Sequence, residues 1–211
     1  MRTRAITFLS AEDEERISKA ISDSERKTSG EIVAVVADMS DRYYYVPFLW
    51  AALAALLVPW PLIHFTWMTV QIIYIIQLIV FLGLLVVLWP RNIRAGMVPR
   101  RIRRAHAHRR ATEQFLVQNL HTTESRTGVL IFVSLAEHHA EILADTGIDA
   151  RVPAGTWQKI VDQLTDDIGH GKPADGFITA INEAGRHLAQ HFPPGSHDPN
   201  ELPDHLIVLR T

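Results

Sequence analysis

The chain has 211 residues, of which 47% are hydrophobic, and its formal net charge is −2 at pH 7. It contains no cysteine, which excludes disulfide bonds, thiolate metal sites and cysteine nucleophiles together. The lack of cysteine does not by itself fix the cellular compartment.

The first predicted elements are a helix and a strand. Ser10, followed three residues later by Asp13, has the pattern of a capping box, and the helix it begins is expected to stop before Gly30. Residues 30–38, GEIVAVVAD, form an almost continuous apolar run, which is typical of a strand covered on both faces. One helix and one strand cannot bury a core alone, so residues 1–45 are predicted to be the first part of a divided soluble domain.

Two apolar runs follow, VPFLWAALAALLVPWPLIHF and TVQIIYIIQLIVFLGLLVVLW, and neither contains Asp, Glu, Lys or Arg. Each has about twenty residues, the length that a helix needs to cross a ~30 Å hydrocarbon layer. Tryptophans lie at or near the ends of the runs, where indole rings favour the membrane interface: Trp50, Trp60, Trp67 and Trp89. Residues 46–90 are therefore predicted to be a transmembrane helical hairpin in contact with the lipid bilayer. The N-terminus lacks a signal-peptide pattern, so the first span is expected to act as the insertion signal.

A basic run, VPRRIRRAHAHRRA, begins shortly after the second span, whereas the turn between the spans has no Lys or Arg. The positive-inside bias predicts a multi-pass protein of the cell (inner) membrane with both termini cytoplasmic. Anionic lipid headgroups are the expected partners of four of these side chains, Arg100, Arg101, Arg103 and Arg104. A solvated helix face is the alternative explanation. Nucleic acid is not expected as a partner, because no aromatic residues suited to base stacking accompany the charge.

The chain beyond the basic run repeats helix and strand signals. Residues 127–135 are a second apolar strand, a tight turn follows, and an alternating strand continues through Ile142 and Ala144. Two amphipathic helices come next, and the tail ends in a weak edge strand. The predicted fold class is α/β, a small sheet of three or four strands sandwiched by helices and interrupted by the hairpin. The predicted segments are residues 1–45, 46–90, 91–195 (the basic helix and the remainder of the domain) and 196–211 (the tail).

Three segments, TSGEIVAVVAD, TGVLIFVSLAEHHAEILADTGID and the stretch from Trp157 through GKPADGFITAINEAGRHLAQHFP, resemble the TPM-domain family. The resemblance implies an α/β sandwich. Members of this family are associated with thylakoid photosystem repair, receptor accessory roles and a proposed acid phosphatase activity, and several bind calcium through acidic side chains at one sheet edge. A hairpin after the first strand departs from many members, which are commonly exported domains with a signal peptide or a terminal anchor.

Four carboxylates follow predicted strands and are the candidate metal ligands: Asp38, Asp41, Asp145 and Asp149. If the two strands lie side by side, these groups converge, and their mutual repulsion would be relieved by a hard cation such as Ca²⁺. The alternative is that they are ordinary turn residues that cap helices and close loops.

No nucleophile–base pair is evident in the sequence. The preferred function is therefore a non-enzymatic, membrane-tethered interaction domain that supports assembly or quality control of membrane proteins and binds another membrane protein, with weak divalent-cation binding. The alternative is a metal-assisted phosphatase, which would need Asp38 and Asp145 to hold a metal or activate water.

Overall fold

The computed structural model describes residues 8–41, 43–123, 125–194 and 202–209, without the side chains of residues 91, 92 and 95. The chain divides into two compact units. We call them the sheet unit (Met1–Ser40 with Arg104–Thr211) and the hairpin unit (Asp41–Arg103). Of the predicted segments, residues 1–7, 42, 124, 195–201, 210 and 211 lie outside the described residues.

The elements in chain order are α1 (Ala11–Glu25), β1 (Ile32–Ala37), α2 (Tyr45–Leu57), α3 (Pro59–Phe65), α4 (Val70–Leu88), α5 (Arg91–Met97), α6 (Arg100–Val117), β2 (Val129–Ser134), β3 (His139–Ala144), α7 (Thr146–Asp149), α8 (Thr156–Gly169), α9 (Pro173–His191) and β4 (Ile207–Leu209). A short 3₁₀ turn, Leu120–Thr122, lies between α6 and β2. The four strands form one sheet in the order β3-β2-β1-β4. The α/β class and the strand number are thus confirmed.

Helix α1 begins with the capping box that its sequence predicts. The Ser10 hydroxyl accepts a hydrogen bond from the Asp13 N–H at 3.1 Å, and the Asp13 carboxylate accepts one from the Ser10 N–H at 3.0 Å. These two bonds satisfy N–H groups that have no partner within the helix.

Helices cover both faces of the sheet, which explains why β1 and β2 are apolar along their whole length. Every residue of these two strands is buried. Residues of α1, α8 and α9 pack on one face, against Ile32, Ala34 and Val36. The opposite face packs against Ala107 and Ala111 of α6.

The hairpin unit is inserted in a crossover connection. β1 and β2 are parallel, and parallel neighbours must be joined by a crossover that usually contains a helix. Helix α6 fills this role, since it packs on the sheet between the two strands in sequence. The hairpin unit begins after Ser40, and the sheet unit resumes at Arg104.

The hairpin unit consists of two apolar segments that pack together. The first, Tyr45–Phe65, is broken at Val58, because Pro59 has no N–H with which to continue the helical bonds. The second is α4, and α2 packs against it. Both segments are long and apolar enough to cross a membrane, judged by length and composition. Most of their large apolar side chains are exposed, among them Leu56, Phe65 and Val86.

Candidate functional site

The predicted carboxylates do not converge at one place in the sheet unit. Asp38 follows β1, and Asp145 follows β3, which is antiparallel to β2. The last residues of β1 and β3 therefore lie at opposite ends of the strands, separated by roughly 20 Å along the strand direction. Asp38 and Asp145 therefore do not meet, because β2 lies between β1 and β3 and these two strands run in opposite directions. Asp41 belongs to the hairpin unit.

Asp145 and Asp149 lie together at the end of the sheet where β3 finishes, and they have local structural roles there. The buried Asp145 carboxylate caps α7 by accepting a hydrogen bond from the Thr146 N–H at 2.7 Å. Its other oxygen lies 3.6 Å from Arg126 Nε. Asp149 accepts a hydrogen bond from the Trp157 indole at 3.0 Å. Across the described ranges, no group of three or more His, Asp or Glu side chains is arranged to hold a metal ion.

A buried polar cluster lies at the opposite end of the strands, where the parallel strands β1 and β2 finish. The Glu137 carboxylate accepts hydrogen bonds from the Ser134 hydroxyl and from the Ser40 N–H, the latter at 3.1 Å. The Ser40 hydroxyl lies 2.8 Å from that of Ser134. Glu137 is only 4% exposed, so its carboxyl oxygens are satisfied by protein donors such as these rather than by bulk water. We call this set the Glu137 clamp, and it holds the last residue of the sheet unit before the hairpin.

Two histidines and a glutamate form a second cluster between β3 and α6. Glu141 Oε2 lies 2.9 Å from His108 Nδ1 on α6, and Glu141 Oε1 lies 3.8 Å from His139 Nε2. Burial of Glu141 tends to raise its pKa, but hydrogen bonds and charge from His139 and His108 outweigh burial, and the pKa is lowered. Glu141 is therefore an ionised carboxylate whose charge is compensated by His139 of β3 and His108 of α6.

Two cavities lie along the outer side of β3, and we call them together the β3 groove. The first, of about 450 Å³, is polar and is lined by Arg104, His139, Glu141, Trp157 and Asp162, among others. The second, of about 370 Å³, is mainly apolar and is lined by residues that include Phe8, Leu135 and Ile168. The cavities share His138, His139, Ala140 and Thr165. Both volumes fall in the range of roughly 300–1,000 Å³ that is usual for ligand sites.

Residues 92–187 match the family model of the TPM domain. This segment of the chain is similar to the TPM domain. The resemblance drawn from the sequence is thus confirmed for the segment from α5 into α9, which includes β2, β3 and all the named groove residues except Phe8. No curated protein matches the chain.

The whole chain also has a counterpart among solved structures. The NMR structure of the BA42 protein from the psychrophilic bacterium Bizionia argentinensis is similar, with a TM-score of 0.60 and 22% sequence identity over 95% of each chain. At this identity the similarity establishes the fold of the chain and does not extend to function.

The Glu137 clamp and the β3 groove were not predicted as sites. Residues 137–141, EHHAE, read from the sequence as an exposed turn followed by a strand. The alternation of His139 and Glu141 on one face of that strand was an available signal, because side chains two apart on a strand point the same way. Their partner His108 is 31 residues away from His139 on another element and could not be paired with it from spacing alone.

Proposed function

We propose that this protein is a membrane-tethered interaction protein, in which the hairpin spans the bilayer and the TPM domain binds a segment of another membrane protein. The observation that carries the proposal is the pair of apolar segments whose side chains are largely exposed, followed by a run of arginines. An apolar surface of this length is unfavourable in water and stable in lipid. The arginine asymmetry supports a cytoplasmic location for both termini.

Aromatic and basic side chains at one end of the hairpin unit support this orientation. The Arg94 guanidinium lies 4.8 Å from the centre of the Tyr44 ring and 5.8 Å from that of Trp89. Arg94 is 5% exposed, so its charge is held against these rings. Tyrosine and tryptophan favour the membrane interface, and the same end of the hairpin leads into the arginine run.

The arginines of the first turns of α6 are suited to anionic lipid headgroups. Three of them, Arg100, Arg101 and Arg104, are exposed, and Arg103 is half-buried. Each basic side chain near an anionic surface contributes about 1 kcal/mol of attraction. Replacing the four arginines with glutamine should weaken the binding of anionic lipid to the detergent-solubilised protein more than the binding of neutral lipid.

Reporter fusions test the topology. A reporter that is active only in the cytoplasm should work at either terminus, and a reporter that is active only outside should work when inserted at Trp67, between the two spans. An externally active reporter that works at the C-terminus would overturn the orientation, and with it the compartment of the TPM domain.

The metal-assisted phosphatase has no described site to support it, because Asp38 and Asp145 lie at opposite ends of the sheet strands. Purified protein should show no calcium-dependent turnover of a phosphomonoester. Metal-dependent turnover that is lost in Asp145→Asn would replace the interaction function with the phosphatase.

A further inference from the structure

The outer edge of β3 presents backbone groups that the sheet does not use. Asp145 N–H donates to Gly128 O, whereas Val129 N–H donates to Glu31 O and so points toward β1. Backbone groups alternate in direction along an antiparallel pair, so residues 139, 141 and 143 face β2 and residues 140, 142 and 144 face outward. β3 is the outermost strand on its side of the described sheet. The N–H and C=O groups of Ala140, Ile142 and Ala144 therefore line a free edge.

This free edge lies in the β3 groove rather than on an open surface. Helix α8 packs against β3 on one side and contributes Trp157 and Asp162 to the groove, while Arg104 of α6 lines it on the other side. An edge strand beside a helix is the arrangement that binds extended peptides by addition of a strand. Backbone hydrogen bonds then supply affinity, and the flanking side chains supply selectivity.

The two sides of the groove differ in chemistry. On the side of α6, Glu141 is compensated by His108 and His139, and the guanidinium of Arg104 is exposed. On the side of α8, the apolar cavity lined by Phe8, Leu135 and Ile168 adjoins the start of β3. Because successive side chains of a strand point to opposite faces, a bound strand would place alternate residues on these two sides.

We propose that an extended peptide segment of a partner protein, with alternating acidic and apolar side chains, adds to β3 as a fifth strand in the β3 groove. Its acidic side chains pair with Arg104, and its apolar side chains enter the cavity beside Ile168. This proposal rests on the interaction function proposed above and specifies the chemistry of the partner.

The direct test uses the full chain in a non-ionic detergent and two fluorescein-labelled peptides, one of alternating Val and Glu and one of alternating Val and Lys. Fluorescence anisotropy should show the Val/Glu peptide binding about tenfold more tightly or better, as expected for one well-placed charged hydrogen bond. Equal affinities for the two peptides would overturn the proposal.

Backbone pairing is tested with Ile142→Pro, which removes an outward N–H that β2 does not need. We expect the affinity for the Val/Glu peptide to fall about tenfold, and Ile142→Val, which keeps the N–H, to stay within about twofold of the wild type. Unchanged binding by Ile142→Pro would overturn strand addition. Self-association of the wild type that Ile142→Pro abolishes would assign the edge to a second copy of the chain and also overturn it.

Charge reversal gives a test that leaves β3 intact. Arg104→Glu should reverse the preference in favour of the Val/Lys peptide. The matched control is Arg109→Glu, also on α6, where the arginine pairs with Glu113 and does not line the groove. An equal effect of both variants would reduce the preference to general charge attraction and contradict the proposal. If these binding tests fail while the reporters give the proposed topology, the peptide proposal is overturned and the membrane tethering stands.

Discussion

Glu25 is a carboxyl group that the fold keeps protonated at neutral pH. Its pKa is raised from 4.5 to about 9, mainly by burial and further by the nearby carboxylates of Glu31 and Asp204, against the opposing hydrogen bond from the Ile32 N–H. That bond has a length of 2.8 Å and ties the end of α1 to the start of β1. A charge-dependent contact is thus built into the link between these two elements.

Stability should fall as pH rises because of Glu25. Its folded-state pKa lies above the unfolded value, so the folded chain keeps a proton between about pH 4.5 and pH 9 that the unfolded chain loses. The free energy of unfolding should decrease by at most about 1.4 kcal/mol per pH unit in this window. Thermal unfolding in detergent at about pH 6 and about pH 8.5 measures it.

Glu25→Gln should remove this part of the pH dependence, since a glutamine can accept the Ile32 hydrogen bond without ionising. The control is Asp23→Asn on the same helix, an exposed residue paired with Arg26. Identical pH profiles for the wild type and Glu25→Gln would contradict the assignment.

The Glu137 clamp should be among the more sensitive polar sites of the sheet unit. Glu137→Ala leaves the Ser134 hydroxyl and the Ser40 N–H without their acceptor in a buried place, so we expect a loss of about 3 kcal/mol in the free energy of unfolding. Glu183→Ala is the matched control, because Glu183 pairs with Arg186 on the surface and should contribute less than about 1 kcal/mol. Denaturant unfolding measures both losses. Losses of equal size would contradict the expectation that the buried Glu137 clamp stabilises the protein more than a surface ion pair does.

At the scale of elements, α1 and α9 approach closely through Gly185. A Cβ atom at this position would lie 2.8 Å from Ser24 Cβ, which is too near the backbone of α1 to move aside easily. The glycine therefore sets the distance between two helices that cover the same face of the sheet.

Gly185→Ala should destabilise the protein by about 1–3 kcal/mol, although alanine favours helix formation by up to about 1 kcal/mol. Gly169→Ala, at the end of α8, meets no atom within 4 Å and should be neutral or slightly stabilising. Comparison of the two melting temperatures measures the effect of packing. A stabilising Gly185→Ala would mean that α1 and α9 can separate without cost.

The sequence predicted the elements better than their arrangement. Continuous apolar runs identified β1 and β2 because both faces are covered, and Ser10 with Asp13 identified the start of α1. The antiparallel direction of β3 was within reach, since only antiparallel strands can be joined by a turn as short as residues 135–138. That fact separates Asp38 from Asp145. The Glu137 clamp could not be predicted, because it joins Ser40 to residues more than ninety positions later, and only the register of β1 with β2 brings them together.

At the scale of the whole molecule, the sheet unit should fold without the hairpin. Its strands and the helices on both faces lie outside residues 41–103, apart from the first turn of α6. Replacement of residues 41–103 with a flexible Gly/Ser linker of ~15 residues should give a soluble protein with one cooperative unfolding transition. Circular dichroism during heating would measure it. A well-expressed but unfolded product would show that the hairpin unit contributes to the core.

The insertion of the hairpin between β1 and β2 imposes an order of events during translation. The ribosome completes α1 and β1 first, but β2 emerges ~90 residues later, which takes roughly 5–20 s at ~5–20 residues per second. During this interval β1 has no neighbouring strand, and both of its faces are apolar. In the proposed topology the nascent chain enters the bilayer within the same interval. The sheet unit can therefore fold only after the hairpin has left the ribosome. We expect a chaperone to protect the apolar faces of β1 until β2 emerges.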